Sequence, residues 1–189
     1  MNAVERNLAW KLNWWRQSEL EGALLLGRMA ARVRDRELCR LITKHCAEEA
    51  EHSQIWTEAI TSLDLPHVQI HRSYQSFFME QTAPPHSLVE VLAFTQVFEK
   101  RVHCHFHEEL RSPALPEVVR RAYERMVEDE KGHLSWVAAW LSVQPGATGC
   151  LERFALADRA VLSAIASYAD RLWEVPGLGF QIEHEQVAA

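Results

Sequence analysis

The chain is poor in the two residues that break regular structure: glycine and proline number only seven each among 189. With hydrophobic residues at 48%, that scarcity excludes a low-complexity, collagen-like or disordered chain. No block of basic residues occurs and the net charge is −6, so a nucleic-acid footprint is not expected. No apolar run reaches the roughly 18–20 residues of a membrane span. Met1 to Trp15 mixes Glu5, Arg6 and Lys11 with its apolar residues, unlike the apolar core of a secretory signal. Cys39, Cys46, Cys104 and Cys150 form no CxxC pair and read as reduced, small apolar residues in a cytoplasmic protein. The chain also lacks a GxGxxG fingerprint, rubredoxin cysteines and a haem motif.

Helical periodicity fills most of the remainder. One segment is expected from about Ala3 to Arg34, where Asn2 and Glu5 have capping-box spacing. A second follows Asp35 and reaches about Leu63. A third starts at Ser87, with Glu90 three residues on, and ends near Leu110. A fourth opens around Pro116 and ends near Ser142, and a shorter fifth spans about Leu151 to Glu174. Strand-like alternation is confined to a few residues around His103 to His107. Short links make the first and second pairs of long helices antiparallel hairpins. The stretch from Asp64 to His86 is long enough to carry the chain the length of a bundle between them. The expectation is a single all-α domain over residues 1–189: a four-helix bundle with one long crossover, plus a C-terminal helix.

Residues spaced by alternating threes and fours share a helix face. In the first helix that face reads Leu8, Leu12, Trp15, Glu19, Gly22, Leu26. In the second it reads Ile42, His45, Glu49, His52, Trp56; in the third, Leu92, Thr95, Glu99, Val102, Phe106. In the fourth it is Tyr123, Met126, Glu130, His133, Val137. Each stripe is apolar except near its middle, where a glutamate stands. Isolated carboxylates in a dry core cost several kcal/mol each. Two divalent cations would balance four of them, and neutral imidazoles would complete the coordination. The expected ligands are therefore Glu19, Glu49, His52, Glu99, Glu130 and His133. In Glu49-Ala-Glu-His52 and Glu130-Lys-Gly-His133 the paired ligands lie ~60° apart around the helix and ~4.5 Å along it. Glu19 precedes Glu49 by 30 residues and Glu99 precedes Glu130 by 31, so the arrangement occurs twice.

This E…ExxH…E…ExxH pattern, over about residues 3–142, resembles the ferritin-like superfamily of carboxylate-bridged diiron and dimanganese proteins. The segment Val127-Glu-Asp-Glu-Lys-Gly-His133-Leu is similar to that family's fourth-helix signature. The resemblance implies two metal ions, iron first and manganese or a mixed pair as the alternative, reacting with dioxygen or peroxide. It also implies that Glu48 and Asp129, each preceding an ExxH glutamate, hydrogen-bond ligand imidazoles. Rubrerythrin-like peroxidases resemble this core but carry a further carboxylate where this chain has Val102. The Glu-to-ExxH spacing here is more similar to that of the superfamily's quinone-biosynthesis hydroxylases, which are membrane-associated; the candidate anchor here, Phe77, Phe78 and Met79, is short and reads as packing at the bundle end.

Other residues compete for roles. Glu21 lies on a half-polar strip and reads as solvent-exposed rather than as a ligand. His45 sits one turn before Glu49, either as a hydrogen-bonding neighbour of the ligands or as a packed or rim histidine. His103, His105 and His107 alternate along a helix, so they do not form one metal site and read as surface residues. Tyr123, Trp15, Trp56 and Trp140 fall on core stripes, where packing explains them. The fifth helix could cover the bundle or form a homodimer contact through Leu151, Phe154, Val161, Ile165 and Leu172. The expected function is an oxidoreductase that activates dioxygen on a small apolar substrate with electrons from an external donor. Iron oxidation and storage, a rubrerythrin-like peroxidase and a purely structural bundle are the alternatives.

Overall fold

The computed structural model describes residues 1–70, 73–168, 171 and 174. It contains six α-helices and no strand among the described residues: α1 Ala3–Ala30, α2 Arg36–Ser62, α3 Tyr74–Met79, α4 Leu88–Glu109, α5 Glu117–Leu141 and α6 Ala147–Ile165. Their boundaries follow local chemistry. Asn2 and Glu5 form a reciprocal capping box at the start of α1, and Ser87 and Glu90 form another at α4. Asp35 accepts the Leu38 amide at 2.8 Å to open α2. Pro116 flanks α5 rather than beginning it, and the first helix ends at Ala30, four residues before the expected Arg34. Between α4 and α5, Arg120 donates to the carbonyls of Leu110 and Ser112 at 2.9 and 2.7 Å, which closes the link.

Contacts fix the helix directions. Along α1, Arg16, Glu19, Ala23 and Ala30 bond to Thr57, Trp56, Cys46 and Cys39 of α2 in descending order, so the two are antiparallel. Trp56–Tyr123, His52–Asp129 and Glu48–His133 set α5 antiparallel to α2 in the same way. Lys11–Glu109 and Trp15–Phe106 do so for α1 and α4. α2 and α4 are therefore parallel, and the chain between them must travel the bundle's length. The buried Asn13 holds that crossover, donating to the Pro66 carbonyl at 3.0 Å and accepting the Val68 amide at 2.9 Å. Further along, Ser73 donates to Glu21, and Gln75 donates to the Ser18 carbonyl at 2.9 Å.

The crossover contains α3, which periodicity missed because it is only six residues long. Its Phe78 is fully buried against Phe94 and Phe154, so this segment packs into the bundle's side, not its end. α6 starts at Ala147, four residues earlier than expected, after Gly146 at φ 79°, a conformation that glycine adopts without steric cost. It lays Phe154 and Val161 on α4 and α3, leaving Leu151 and Ile165 half-buried; Leu172 lies outside the described residues. Asp158 of α6, only 4% exposed, receives hydrogen bonds from Arg101 at 2.8 Å and Tyr74 at 2.7 Å, joining α4, the crossover and α6.

The apolar core is in two layers. Leu26, Ile42, Leu92 and Val137 belong to one, and Leu12, Trp56, Phe106 and Tyr123 to the other. Trp10 and Trp14 are buried as well, under the crossover and α6, whereas Trp140 is half-buried. A level of glutamates and histidines separates the layers.

Candidate metal centre

All six expected ligands are buried: Glu19, Glu49 and Glu99 are 6% exposed, Glu130 and His133 2%, and His52 not at all. They occupy the middle of their helices because each stripe reaches the core at that level. Ligand atoms of His45, Glu49, Glu99 and His133 lie within 4.8 Å of one another, and so do those of Glu19, Glu49 and His52. Glu49 is common to both groups. Glu130 is in neither, but its Oε2 lies 3.6 Å from Nδ1 of His133.

The imidazoles are oriented reciprocally. His52 of α2 donates from Nε2 to Asp129 of α5 at 3.2 Å; His133 of α5 donates from Nε2 to Glu48 of α2, also at 3.2 Å. Arg125 in turn holds Asp129 at 2.8 Å, and Lys44 holds Glu48. With Nε2 engaged, Nδ1 of each ring faces the glutamates, 3.8 Å from Glu19 for His52 and 3.5 Å from Glu49 for His133. Such carboxylate partners fix the tautomer and raise the basicity of the free nitrogen.

Of the two roles left open for His45, its contacts are those of a hydrogen-bonding neighbour of the ligands. It is 1% exposed, its Nε2 lies 2.8 Å from Glu99 and 3.1 Å from Glu49, and its ring stacks on His133 with centroids 3.6 Å apart. The signal was available: His45 is on the inward stripe, four residues before Glu49. Glu21 is half-buried rather than exposed and stays outside both groups, accepting from Gln17 and Ser73. His103, His105 and His107 are likewise outside them; His105 meets Glu109 at 3.3 Å, and the other two pair edge to face. Tyr123 is buried against Trp56 and Phe106. Glycine at position 22 leaves room for Glu49, since a Cβ there would lie 2.9 Å from its Oε2.

Electrostatics show how ill-suited this cluster is to standing alone. Burial and the Glu19 charge push Glu49 up to about 8. Burial and the charges of Glu99 and Glu19 lift Glu130 well above the carboxylate range. Burial also raises Glu19, but the imidazole of His52 beside it outweighs that and holds Glu19 low. For His52 burial opposes the charged form, yet Glu19 beside it raises the imidazole to about 10. His45 is raised well above its ordinary value by Glu99 and Glu49 against the same desolvation, while burial and the neighbouring His45 lower His133. Even so, Nδ1 of His45, His52 and His133 and Oε2 of Glu99 and Glu130 are buried without a hydrogen-bond partner. Buried polar atoms left unpaired are uncommon and costly. Carboxylate oxygens and imidazole nitrogens are also donors that divalent first-row metals accept. The cluster could hold a metal ion.

One side of the site is open. A cavity of about 430 Å³ runs between α1, α4 and the crossover and reaches Glu19, Glu49, Glu99 and Glu130, while none of the three histidines lines it. Its walls are mainly apolar, with Trp15, Leu25, Phe94, Phe98 and Val102 among them. The four cysteines are free, and no described helix is long and apolar enough to cross a membrane.

Fold and site together define an all-helical protein with a buried Glu/His cluster able to hold metal. Comparisons with protein families, with curated proteins and with solved structures gave no match.

Proposed function

We propose that this chain is a ferritin-like dinuclear-metal oxidoreductase, with iron as the metal and dioxygen reacting on a small organic substrate. The observation that carries the reading is Glu49 shared between two adjacent donor groups whose carboxylate side opens on an apolar cavity. Glu19, Glu49 and His52 would hold one ion; Glu49, Glu99 and His133 would hold the other, with His45 against it and Glu130 closing the shell. Two ferrous ions would supply electrons for dioxygen reduction, to be replenished by an external donor.

The chain's own residues prepare the site for this. Glu48 and Asp129 hold the Nε2 protons, so the Nδ1 lone pairs point at the metal positions. Trp56 donates from Nε1 to Glu19 at 3.4 Å, fixing the carboxylate on the cavity side. The two apolar layers exclude water above and below, which protects reactive species. The apolar cavity favours oxygenase chemistry over storage, because storage requires an acidic path leading ions away from the site.

The test is anaerobic reconstitution with ferrous iron, elemental analysis and then exposure to dioxygen. Close to two metals per chain and a stoichiometric oxygen uptake that stops would support the proposal; sustained uptake should need both reductant and substrate. One metal or none in folded protein would remove the dinuclear site. Many ferrous ions oxidised and retained per chain would replace the enzyme with a store.

A further inference from the structure

The cavity that reaches the glutamates also has a chemically distinct mouth. Along α1 it passes from Glu19 at its inner end, past Leu25 and Leu26, to Arg28, nine residues on and so roughly 13 Å further along the helix axis. Arg28 lines a second cleft too, of about 530 Å³, which adds Arg32 and Arg34; Leu25 and Pro85 are common to both spaces. Asp35, the carboxylate in that cleft, already caps α2. The side chains of Arg28, Arg32 and Arg34 make no ion pair or hydrogen bond with any described residue, although the chain's net charge is −6. Elsewhere Arg101, Arg125 and Arg153 are paired with carboxylates. An apolar cavity with the unpaired guanidinium of Arg28 at its edge, and those of Arg32 and Arg34 in the adjoining cleft, matches a molecule with an apolar body and an anionic end.

We propose that the substrate of this site is an amphiphilic organic acid, bound with its apolar body towards the glutamates and its carboxylate on Arg28 at the mouth. This rests on the oxidoreductase reading for the word substrate, while the binding itself does not. Orientation follows from charge. The inner end is lined by four buried carboxyl groups and, among the described residues, by no cation, so an anionic head finds its counter-charge at Arg28, whereas the apolar walls accept a chain in either state. Arg28 is exposed, so it meets the head group without being desolvated beforehand, and its planar fork suits a carboxylate.

Binding is measured by calorimetry on the full chain, both metal-free and ferrous-loaded under anaerobic conditions, with decanoate, decanol, decyltrimethylammonium and acetate as probes. The expected order is decanoate first, decanol weaker and the cation weakest, with acetate not binding, and decanoate should bind the metal-free chain. Arg28→Gln should weaken decanoate by about tenfold or more and leave decanol unchanged, the loss of one charge-assisted contact. Arg28→Lys should retain most of the affinity. Because Arg28 is exposed, neither substitution threatens folding. Leu25→Trp, which narrows the cavity, should weaken decanoate and decanol alike. Equal affinities for decanoate and decanol, or no effect of Arg28→Gln, would overturn the proposal. So would decanoate binding only to the metal-loaded chain, which would put the head group on the metals. A chain that binds decanoate as expected but consumes no dioxygen would leave the cavity assignment standing and defeat the oxidoreductase reading.

Discussion

Without metal, the protein should become less heat-stable as pH rises from 6.5 to 8, and loading metal should offset most of that loss. Burial and the charge of Glu19 hold the Glu49 proton up to about 8, against an ordinary value of 4.5. Despite burial, the Glu19 carboxylate holds the His52 proton up to about 10, against 6.5. For the glutamate, the folded state keeps a proton that the unfolded chain has released, so its destabilising effect grows from pH 4.5 to 8. For the histidine, the contribution is stabilising, complete below 6.5, and lost as pH rises towards 10. Both slopes point downward. The depressed groups do not cancel them in this window, because Glu19 acts below 4.5 and His133 below 6.5. Two excess protons in the folded state correspond to about 2.7 kcal/mol per pH unit, from ~1.36 kcal/mol for each. Metal must displace these protons, so its affinity rises as they become easier to remove. At a hundredfold excess over Kd, ligation adds about 2.7 kcal/mol, or roughly 5–11 °C in Tm for a chain of this size. Differential scanning calorimetry of chelated and ferrous-loaded protein, at both ends of the window, measures the gap between them. Coincident melting curves, or a gap that narrows towards pH 8, would refute the reasoning.

Four further outcomes are expected. Gly22→Ala should leave the apoprotein as stable or more so, by about 0.5–1 kcal/mol from helix propensity, yet weaken metal binding because its Cβ meets Glu49 Oε2 at 2.9 Å; competition with a chelator dye reads the affinity. Asp129→Asn and Glu48→Gln should each lower metal affinity about 10–100-fold by releasing His52 or His133, with circular dichroism unchanged. Glu19→Ala should lose metal by elemental analysis while Glu21→Ala keeps most of it, since Glu21 stands outside both donor groups. Asp158→Ala should lower stability by about 2–3 kcal/mol in urea melts, because it strips Tyr74 and Arg101 of their acceptor while Arg101 can still reach water.

The helices and the inward stripes were legible in the sequence because a period of three and four residues is what one-sided burial writes. Leu12, Glu19, Ile42, Glu49, His52, Glu99, Met126 and His133 are all buried as that period requires. Capping was legible at Asn2 and Ser87 because it depends on neighbours three residues away. What the sequence did not reveal depends on partners far along the chain. α3 is too short to show a period, and its burial is set by Phe94 and Phe154. The role of Asn13 exists only because the crossover passes over it. His45 was on the right face, but its contact with Glu99 joins α2 to α4, which spacing within one helix cannot show. The cavity arises from three separated segments, and Glu21 is half-buried because the crossover bonds to it.

The exchange of carboxylates between α2 and α5 divides the site mechanically into unlike halves. Each helix carries the acid that clamps the other's histidine, so a slip of either by one residue would release both rings together. The histidine wall is therefore a cross-braced frame, set before any ion arrives. The opposite wall lacks that reciprocity among the described residues: α1 and α4 each bring one glutamate, Glu19 met by Trp56 and Glu99 by His45, with the cavity between them and the crossover laid alongside. A guest entering there meets the glutamates and not the imidazoles, which lie outside the cavity's lining. One side of the centre sets position, and the other is the side that the contents of the cavity touch.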